Sequence, residues 1–353
     1  LSKKTISANG SEIVYNTEYP ENANPVTKIK VNGGNVESHS KTDSFGRKVF
    51  DEIQLGSGFV SRQFSYHAGK VTDEHKQNGK LKSSPTTSLV SGIVLSNGTT
   101  LSYAYDAEEH ITSVTEMYEV DGVPVVKVTS YTYDALGQLE SEIANGITTK
   151  FQYDNYGNIT KKNDTEYIYG KYYPNDDFTQ EPILLPWKDL LTYHNGVRID
   201  YDEQGNPTSY LGSTLTWEKG RQLKRFVKSD ETVIDYTYNA NGIRTSKTVN
   251  GIEHKYTLDG TKILRETWDD NTLIPLYDNE DSVCGIIYNN VPYYFIKNLQ
   301  GDVIAIVDKD AKTVAHYSYD AWGKIVSITD EEYSDISYID SHIANINPFR
   351  YRS

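Results

Sequence analysis

The chain has 353 residues and a formal net charge of −14, because 49 acidic residues stand against 35 basic ones. Such a surface repels nucleic acid and anionic lipid, so we expect no binding to either. The single cysteine, Cys284, excludes an intrachain disulfide and a zinc site made of four cysteines. No apolar stretch approaches the roughly 20 residues that a spanning helix needs, so membrane insertion is not expected.

Tyrosine dominates the aromatic composition, with 29 Tyr against 9 Phe and 4 Trp. A tyrosine combines an apolar ring with a hydrogen-bonding tip, which suits half-buried sheet faces. The hydrophobic fraction is only 37%, which is low for a chain built around one thick core. This composition favours an all-β, thin or hollow architecture, and 12% aromatic residues argue against disorder.

One five-residue pattern recurs along the chain: Tyr, then Asp or Asn, two variable residues, then Gly. The key residues of its five copies are Tyr133, Asp134 and Gly137; Tyr153, Asp154 and Gly157; Tyr201, Asp202 and Gly205; Tyr238, Asn239 and Gly242; and Tyr319, Asp320 and Gly323. Four copies carry a second aromatic residue two positions earlier, at Tyr131, Phe151, Tyr236 and Tyr317. Degenerate copies occur at Phe64-Ser65-Tyr66-His67, Tyr103-Ala104-Tyr105-Asp106 and Asp43-Ser44-Phe45-Gly46.

The pattern is typical of a strand that runs into a tight turn. Residues two apart on a strand face the same side, so the paired aromatics form one ridge. Asp or Asn at the start of the turn accepts hydrogen bonds from backbone N–H groups, and Gly adopts the left-handed conformation that closes a bulged hairpin. Repetition of this placement indicates structural aspartates rather than catalytic ones.

A second turn signal, Asn-Gly, occurs between the copies and is a strong indicator of hairpins. It begins at Asn9, Asn32, Asn78, Asn97, Asn145, Asn195, Asn241 and Asn250. The copies of the tyrosine pattern are unevenly spaced, whereas a propeller or solenoid keeps a tighter period. We therefore predict one irregular antiparallel meander of hairpins that winds on itself.

The C-terminal part of the sequence predicts a helix over residues 331–345. Isoleucines recur there at steps of three and four residues, and Asp330 suits the N-cap. Pro348 ends the helix, and Phe349-Arg350-Tyr351-Arg352 is expected to begin a strand. We accordingly divide the chain into a repeat region, residues 1–330, and a tail, residues 331–353.

The ordered set of motifs resembles the bacterial Rhs/YD-repeat family, to which the animal teneurins are related. The resemblance rests on the tyrosine–aspartate turns, on Asn298-Leu299-Gln300-Gly301-Asp302-Val303 and on the closing Ile346-Asn347-Pro348-Phe349-Arg350-Tyr351-Arg352. It covers nearly the whole chain, thinly over residues 1–60 and densely from about Tyr131. Within the family, the chain most resembles wall-associated Rhs proteins of Gram-positive bacteria.

The resemblance implies a spiral β-sheet shell that encloses a C-terminal toxin, in a secreted or cell-wall-associated protein. The family's aspartyl self-cleavage motif and toxin match no residue here, so we expect a fragment of the repeat region that ends before them. Its expected partners are its own C-terminal core and toxin domain. No catalytic residue, cofactor site or metal site is implied within the chain.

Two alternatives to this interpretation remain open. Aromatic, glycine-rich repeats also occur in cell-surface modules that bind glycans or receptors, although the 4 Trp and the uneven spacing argue against such a module. The second concerns metals: Asp308-Lys309-Asp310 resembles the start of a calcium loop, but the later ligands are absent. A hairpin turn explains this segment better, and the eight histidines lack the spacing of a zinc site.

Overall fold

A computed structural model of the chain describes residues 2–8, 10–18, 26–31, 34–43, 45–54, 58–67, 76–77, 80–81, 89–278 and 280–352. The chain forms two compact units: Leu1–Ser130 with Thr272–Ser353, and Tyr131–Asn271. Nearly all regular structure in the described ranges is antiparallel strand, which confirms the predicted all-β fold class. None of the helices in those ranges is long and apolar enough to cross a membrane.

Ten of the first twelve strands are neighbours in chain order within one antiparallel sheet. The twelve are β1 (Ser2–Ala8), β2 (Ser11–Glu18), β3 (Val26–Val31), β4 (Gly34–Thr42), β5 (Lys48–Gln54), β6 (Phe59–Tyr66), β7 (Lys76–Gln77), β8 (Lys80–Leu81), β9 (Val90–Leu95), β10 (Thr100–Tyr105), β11 (Ile111–Val120) and β12 (Val123–Tyr133). Each of β1 to β5 pairs with the next strand, and β6 pairs with β9. Strands β7 and β8 pair only with each other among the described strands.

The meander continues in the unit Tyr131–Asn271. Its strands are β13 (Leu139–Ala144), β14 (Ile147–Tyr153), β15 (Ile159–Lys162), β16 (Thr165–Tyr169), β17 (Lys171–Tyr172), β18 (Ile183–Leu184), β19 (Leu191–His194), β20 (Val197–Arg198), β21 (Ser209–Tyr210), β22 (Ser213–Glu218), β23 (Gln222–Val227), β24 (Val233–Tyr238), β25 (Arg244–Val249), β26 (Ile252–Asp259) and β27 (Lys262–Trp268). Strands β17 and β18 form a separate pair, with a 3-10 turn at Pro174–Asp176 between them.

The remaining elements return to the first unit. They are β28 (Asn271–Tyr277), β29 (Val283–Tyr288), β30 (Val291–Lys297), β31 (Val303–Val307), β32 (Thr313–Tyr319), β33 (Ile325–Thr329) and α1 (Ile343–Ile346). Strands β29 to β31 are buried on both faces, with Ile286, Ile296 and Ile306 fully inaccessible. These strands form the densest core of that unit.

The strands of the unit Tyr131–Asn271 bury one face less completely. Along β26, the residues alternate between exposed and half-buried over Glu253–Tyr256. The fully buried side chains of this unit are few and include Tyr193, Ile199 and Leu264. This half-burial accounts for strands that mix charged and apolar residues in sequence.

The predicted helix over residues 331–345 is wrong in its extent, because the helix comprises only Ile343–Ile346. Asp330 is not its N-cap but begins a turn that Ser334 closes, and the N-cap is His342, whose ring accepts a hydrogen bond from the Ala344 N–H. Consecutive turns over residues 336–342 bury Ile336 without forming a helix.

Phe349–Arg352 contains no strand, so the prediction that a strand begins there is also wrong. The Arg350 guanidinium instead donates to the carbonyls of Ala344, Asn345 and Asn347, at the end of α1. These three hydrogen bonds to backbone carbonyls hold the segment in place, whereas the sequence predicts the hydrogen-bond ladder of a β-strand. The division of the chain at residue 330 stays a prediction.

Candidate functional site: the tyrosine–aspartate turn

Each copy of the repeated pattern lies where a strand meets a turn. Tyr133, Tyr153, Tyr238 and Tyr319 are the last residues of β12, β14, β24 and β32. Tyr201 instead forms an isolated bridge with Pro207, on the other side of its turn. The Asp or Asn that follows the tyrosine is the first residue of the turn in each case.

The turn at Asp154 shows the geometry. Its backbone N–H donates to the Asn158 carbonyl (2.9 Å), and its carbonyl accepts from the Gly157 N–H (3.1 Å). The side-chain Oδ1 accepts from the backbone N–H groups of Tyr156 (2.8 Å) and Asn158 (2.9 Å). Gly157 has φ +85°, so the loop is a type I turn closed by a left-handed glycine in a bulge.

The other four copies repeat this arrangement. In each, the side-chain Oδ1 of the Asp or Asn accepts from the N–H groups two and four residues later, at 2.8–3.0 Å, in the turns that begin at Asp134, Asp202, Asn239 and Asp320. The glycines have φ +76° at Gly137, +80° at Gly205, +77° at Gly242 and +82° at Gly323. The carboxylate is therefore occupied by backbone donors, as in a cap.

The tyrosine hydroxyl makes a second recurring bond. It donates to the carbonyl of the first or second residue of the preceding strand: Tyr153 to Leu139 (2.8 Å), Tyr201 to Leu191 (2.6 Å), Tyr238 to Leu223 (2.8 Å) and Tyr319 to Val303 (2.7 Å). Tyr66, Tyr105 and Tyr169 donate in the same way to Lys48, Val90 and Ile159. Because both ends of this bond lie at one edge of the sheet, each tyrosine ties its own turn to the start of the preceding strand.

The electrostatics of the turn favour an ionised aspartate and a protonated tyrosine. At Asp202, the hydrogen bond from the Asn206 side chain and further backbone donors lower the pKa of the carboxyl. At Asp154, burial opposes the ionised form, but the Asn158 side chain and backbone N–H groups outweigh it, and the pKa is lowered. Burial raises the pKa of Tyr201 to about 12, which keeps the hydroxyl available as a donor.

Among the described residues, four aspartate turns of the same geometry carry no glycine, so the sequence pattern misses them. Glu109, Asp281, Ala311 and Tyr333 occupy the glycine position with φ +71°, +64°, +62° and +63°. The Asp of each turn, at Asp106, Asp278, Asp308 and Asp330, accepts from the N–H groups two and four residues later. An Asp followed two residues later by another polar residue at a strand end is the available signal. The segment interpreted as a hairpin turn at Asp308 is one of them.

The Asn-Gly pairs divide between two turn types. Asn145, Asn195 and Asn250 have φ +52°, +49° and +48°, with left-handed glycines after them, as in two-residue hairpins. The glycines after Asn97 and Asn241 instead close turns of the bulged type. Asn9, Asn32 and Asn78 lie outside the described residues.

Two of the turns are packed beneath aromatic rings. A Cβ added to Gly205 would lie 2.1 Å from the Trp187 ring, and one added to Gly323 would lie 2.5 Å from the Tyr351 ring.

Within the described part of the chain, no group of three or more His, Cys, Asp or Glu side chains is placed to hold a metal ion. The arrangement thus stabilises strand ends and fixes their spacing.

Comparison with known proteins agrees with this geometry. The family described as Teneurin YD-shell matches residues 86–338. The tRNA3(Ser)-specific nuclease WapA of Bacillus spizizenii and the tRNA nuclease WapA of Bacillus subtilis are each 34% identical over 200 residues, which is 54% of this chain. This chain spans only 8% of the length of those relatives.

Solved structures show the same fold. The Tc holotoxin pore of Photorhabdus luminescens aligns over 98% of this chain and 19% of its own, with TM-score 0.55 and 15% identity. A TcdB2–TccC3 complex without its hypervariable C-terminal region aligns over 97% of this chain and 19% of its own, with TM-score 0.54 and 13% identity. Since the family match covers well over half of the sequence, the chain belongs to the teneurin YD-shell family of Rhs/YD-repeat proteins and is a structural shell segment of that family.

Proposed function

We propose that this chain is a non-catalytic part of the shell of a secreted or cell-wall-associated polymorphic toxin, and that the shell encloses and delivers a C-terminal toxin. The observation that carries the proposal is the repeated use of Tyr and Asp to fix strand ends. Every pattern aspartate accepts backbone hydrogen bonds, which leaves it a poor candidate for acid–base chemistry. The partners are the protein's own C-terminal core and toxin.

Because the similar proteins are named as tRNA nucleases, we ask whether the segment that corresponds to this chain carries the nuclease activity. This chain corresponds to 8% of their length, and its net charge of −14 opposes binding to RNA. We place the nuclease activity of such proteins outside the corresponding segment. Incubation of the purified chain with tRNA should leave the tRNA intact with or without divalent cations. Cleavage that purified with the chain would overturn the non-catalytic assignment.

Enclosure is tested with the two parts of the parent protein. The chain is mixed with the C-terminal portion of the same parent protein, supplied separately, and the mixture is analysed by size-exclusion chromatography and limited proteolysis. We expect co-elution and slower digestion of the C-terminal portion. The matched control is the Asn155→Ala chain, which leaves every hydrogen bond of the Asp154 turn in place. A monomeric chain that leaves digestion of its partner unchanged would favour a surface module that binds glycans or receptors.

A further inference from the structure

A polar cavity of about 240 Å³ lies in the unit that joins Leu1–Ser130 with Thr272–Ser353. Residues of β4, β5 and β6 line it together with residues of β29 and β30 and with Asp278, Glu280, Ser282 and Leu299–Gly301. These two groups are more than 200 residues apart in sequence, as the bond from the Arg62 guanidinium to the Asn298 carbonyl shows (3.4 Å, 236 residues). The cavity is therefore a product of tertiary structure that no local motif marks.

Charged side chains of both signs line this cavity. Arg62 donates to both carboxylate oxygens of Asp51, at 3.0 and 2.7 Å. Lys48 forms an ion pair with Glu280 and lies 3.8 Å from Asp51. Lys297 is only 8% exposed and donates to the Ser282 hydroxyl at 2.8 Å. Such a concentration of partly buried charge is costly unless the groups have polar partners, and these pairs supply them in part.

The Asp278 turn differs from the other aspartate turns in its electrostatics. Its Oδ1 accepts from the N–H groups of Glu280 and Ser282 at 2.9 Å, which is the same geometry. Burial nevertheless raises the pKa of Asp278, whereas the pKa of Asp202 is lowered. Burial also lowers the pKa of Lys297, whose ammonium group donates to Ser282 in the same turn. Burial therefore disfavours the charged forms of an acid and a base that line one cavity.

The lining selects the charge of a ligand. Lys48, Arg62 and Lys297 would attract an anion, but Asp51, Glu52, Asp278 and Glu280 line the same space and would repel it. A cation meets the reverse conflict. A neutral molecule rich in hydroxyls meets neither, because each hydroxyl donates to a carboxylate and accepts from an ammonium or guanidinium group.

The shape of the cavity limits the size of a ligand. The volume lies below the roughly 300–1,000 Å³ of pockets that hold drug-sized molecules, so one ring is the natural occupant. Phe295, which is 3% exposed, and Val60 supply an apolar wall against which the C–H face of such a ring would pack.

We propose that this cavity binds a neutral polyol of the size of one sugar ring, with hydroxyls that donate to Asp278 and accept from Lys297 and Arg62. The proposal is independent of the shell function, since it concerns one unit of the chain alone. Gln300 is an exposed residue that lines the cavity, and we expect its amide to contact the polyol as well.

The test is titration of the whole chain with D-glucose and with myo-inositol, followed by isothermal calorimetry, with sodium phosphate and sodium acetate as charged probes. We expect saturable millimolar binding of at least one polyol. Binding should weaken about tenfold or more in Gln300→Ala and Lys297→Met. The matched control is Lys309→Met, because the Lys309 side chain is 67% exposed and does not line the cavity.

Each variant is first checked by circular dichroism, and Gln300→Ala is the decisive one because an exposed side chain tolerates truncation without unfolding. Absence of saturable binding by either polyol would overturn the proposal. So would tighter binding of phosphate or acetate than of the polyols, or polyol binding that Gln300→Ala and Lys297→Met leave at the strength seen with Lys309→Met.

Discussion

The turns at Asp202–Asn206 and Asp308–Lys312 lie in different units yet have the same backbone. In both, the aspartate Oδ1 accepts from the N–H groups two and four residues later. The left-handed position is Gly205 in the first turn, with φ +80°, and Ala311 in the second, with φ +62°. The comparison indicates that the aspartate side chain supports this turn with or without a glycine, and that a ring packed on the left-handed position, as at Gly205, adds a further reason for glycine there.

The packing at Gly205 gives the largest expected effect. Gly205→Ala brings a Cβ within 2.1 Å of the Trp187 ring and adds the cost of a left-handed alanine. We expect the free energy of unfolding to fall by about 3 kcal/mol in urea denaturation. The control is Gly220→Ala, at φ +87° with nothing within 4 Å, for which about 1 kcal/mol is expected. Equal losses would show that Trp187 is irrelevant to the turn.

The turn at Gly157 has no aromatic ring packed on its glycine, so a substitution there measures the cost of the left-handed backbone without a clash against a ring. Gly157→Val places a β-branched residue at φ +85°, and we expect a loss of about 2 kcal/mol. Asn155→Ala in the same turn changes an exposed side chain and should cost less than about 0.5 kcal/mol. Thermal unfolding of both variants checks the difference. Indistinguishable melting temperatures would mean that this turn does not require its left-handed residue.

The tyrosine tie, the hydrogen bond from a pattern tyrosine hydroxyl to the start of the preceding strand, predicts a smaller loss in the free energy of unfolding. Tyr238→Phe removes the hydroxyl that donates to the Leu223 carbonyl, and we expect a loss of about 1 kcal/mol. Tyr156→Phe serves as the control, because Tyr156 is 74% exposed and should change little. Urea unfolding of the two variants side by side measures the tie. A Tyr238→Phe chain as stable as the control would show that the hydroxyl bond adds nothing.

The two kinds of aspartate turn should respond oppositely to pH. The pKa of Asp202 is lowered by folding, so its contribution is present above the unfolded pKa of about 4 and is lost as pH falls through the folded pKa. The pKa of Asp278 is raised, so its contribution is present below about pH 4 and is lost as pH rises through the folded pKa. Asn accepts the same backbone bonds, as Asn239 shows.

We therefore expect Asp202→Asn to reduce the loss of stability on acidification from neutral pH to below pH 4, and Asp278→Asn to increase it. Urea unfolding at several pH values across that range measures both slopes. Shifts of the same sign in the two variants would contradict the distinct environments of these two carboxyls.

The features that the sequence alone predicts correctly are those that depend on the residues within one short segment. The turn at Asp154 and the two-residue hairpin at Asn145 follow from the residues within each turn, and their repetition indicates the antiparallel meander. The isoleucine spacing at Ile336 and Ile343 fits a helix, but consecutive turns bury the same side chains, and periodicity does not separate the two.

Features that depend on register or on distant contacts escape sequence reasoning. The tyrosine tie requires knowing which carbonyl begins the preceding strand, which a pattern within one strand does not contain. The polar cavity requires contacts such as that between Arg62 and Asn298, 236 residues apart. The turns at Asp106 and Asp330 were hidden because Glu109 and Tyr333 take the place of the expected glycine.

The central claim is that the side-chain oxygen Oδ1 of the aspartate stabilises the repeated turn even where the turn has no glycine. Amide hydrogen exchange followed by NMR at Asp310 and Lys312 tests it most directly, because both N–H groups donate to Asp308 Oδ1 at 2.9 Å in a turn that lacks glycine. We predict slowed exchange of the Lys312 amide in the unmodified chain and in Asp308→Asn, and a loss of protection of about tenfold in Asp308→Ala. Equal exchange of that amide in all three chains would contradict the claim.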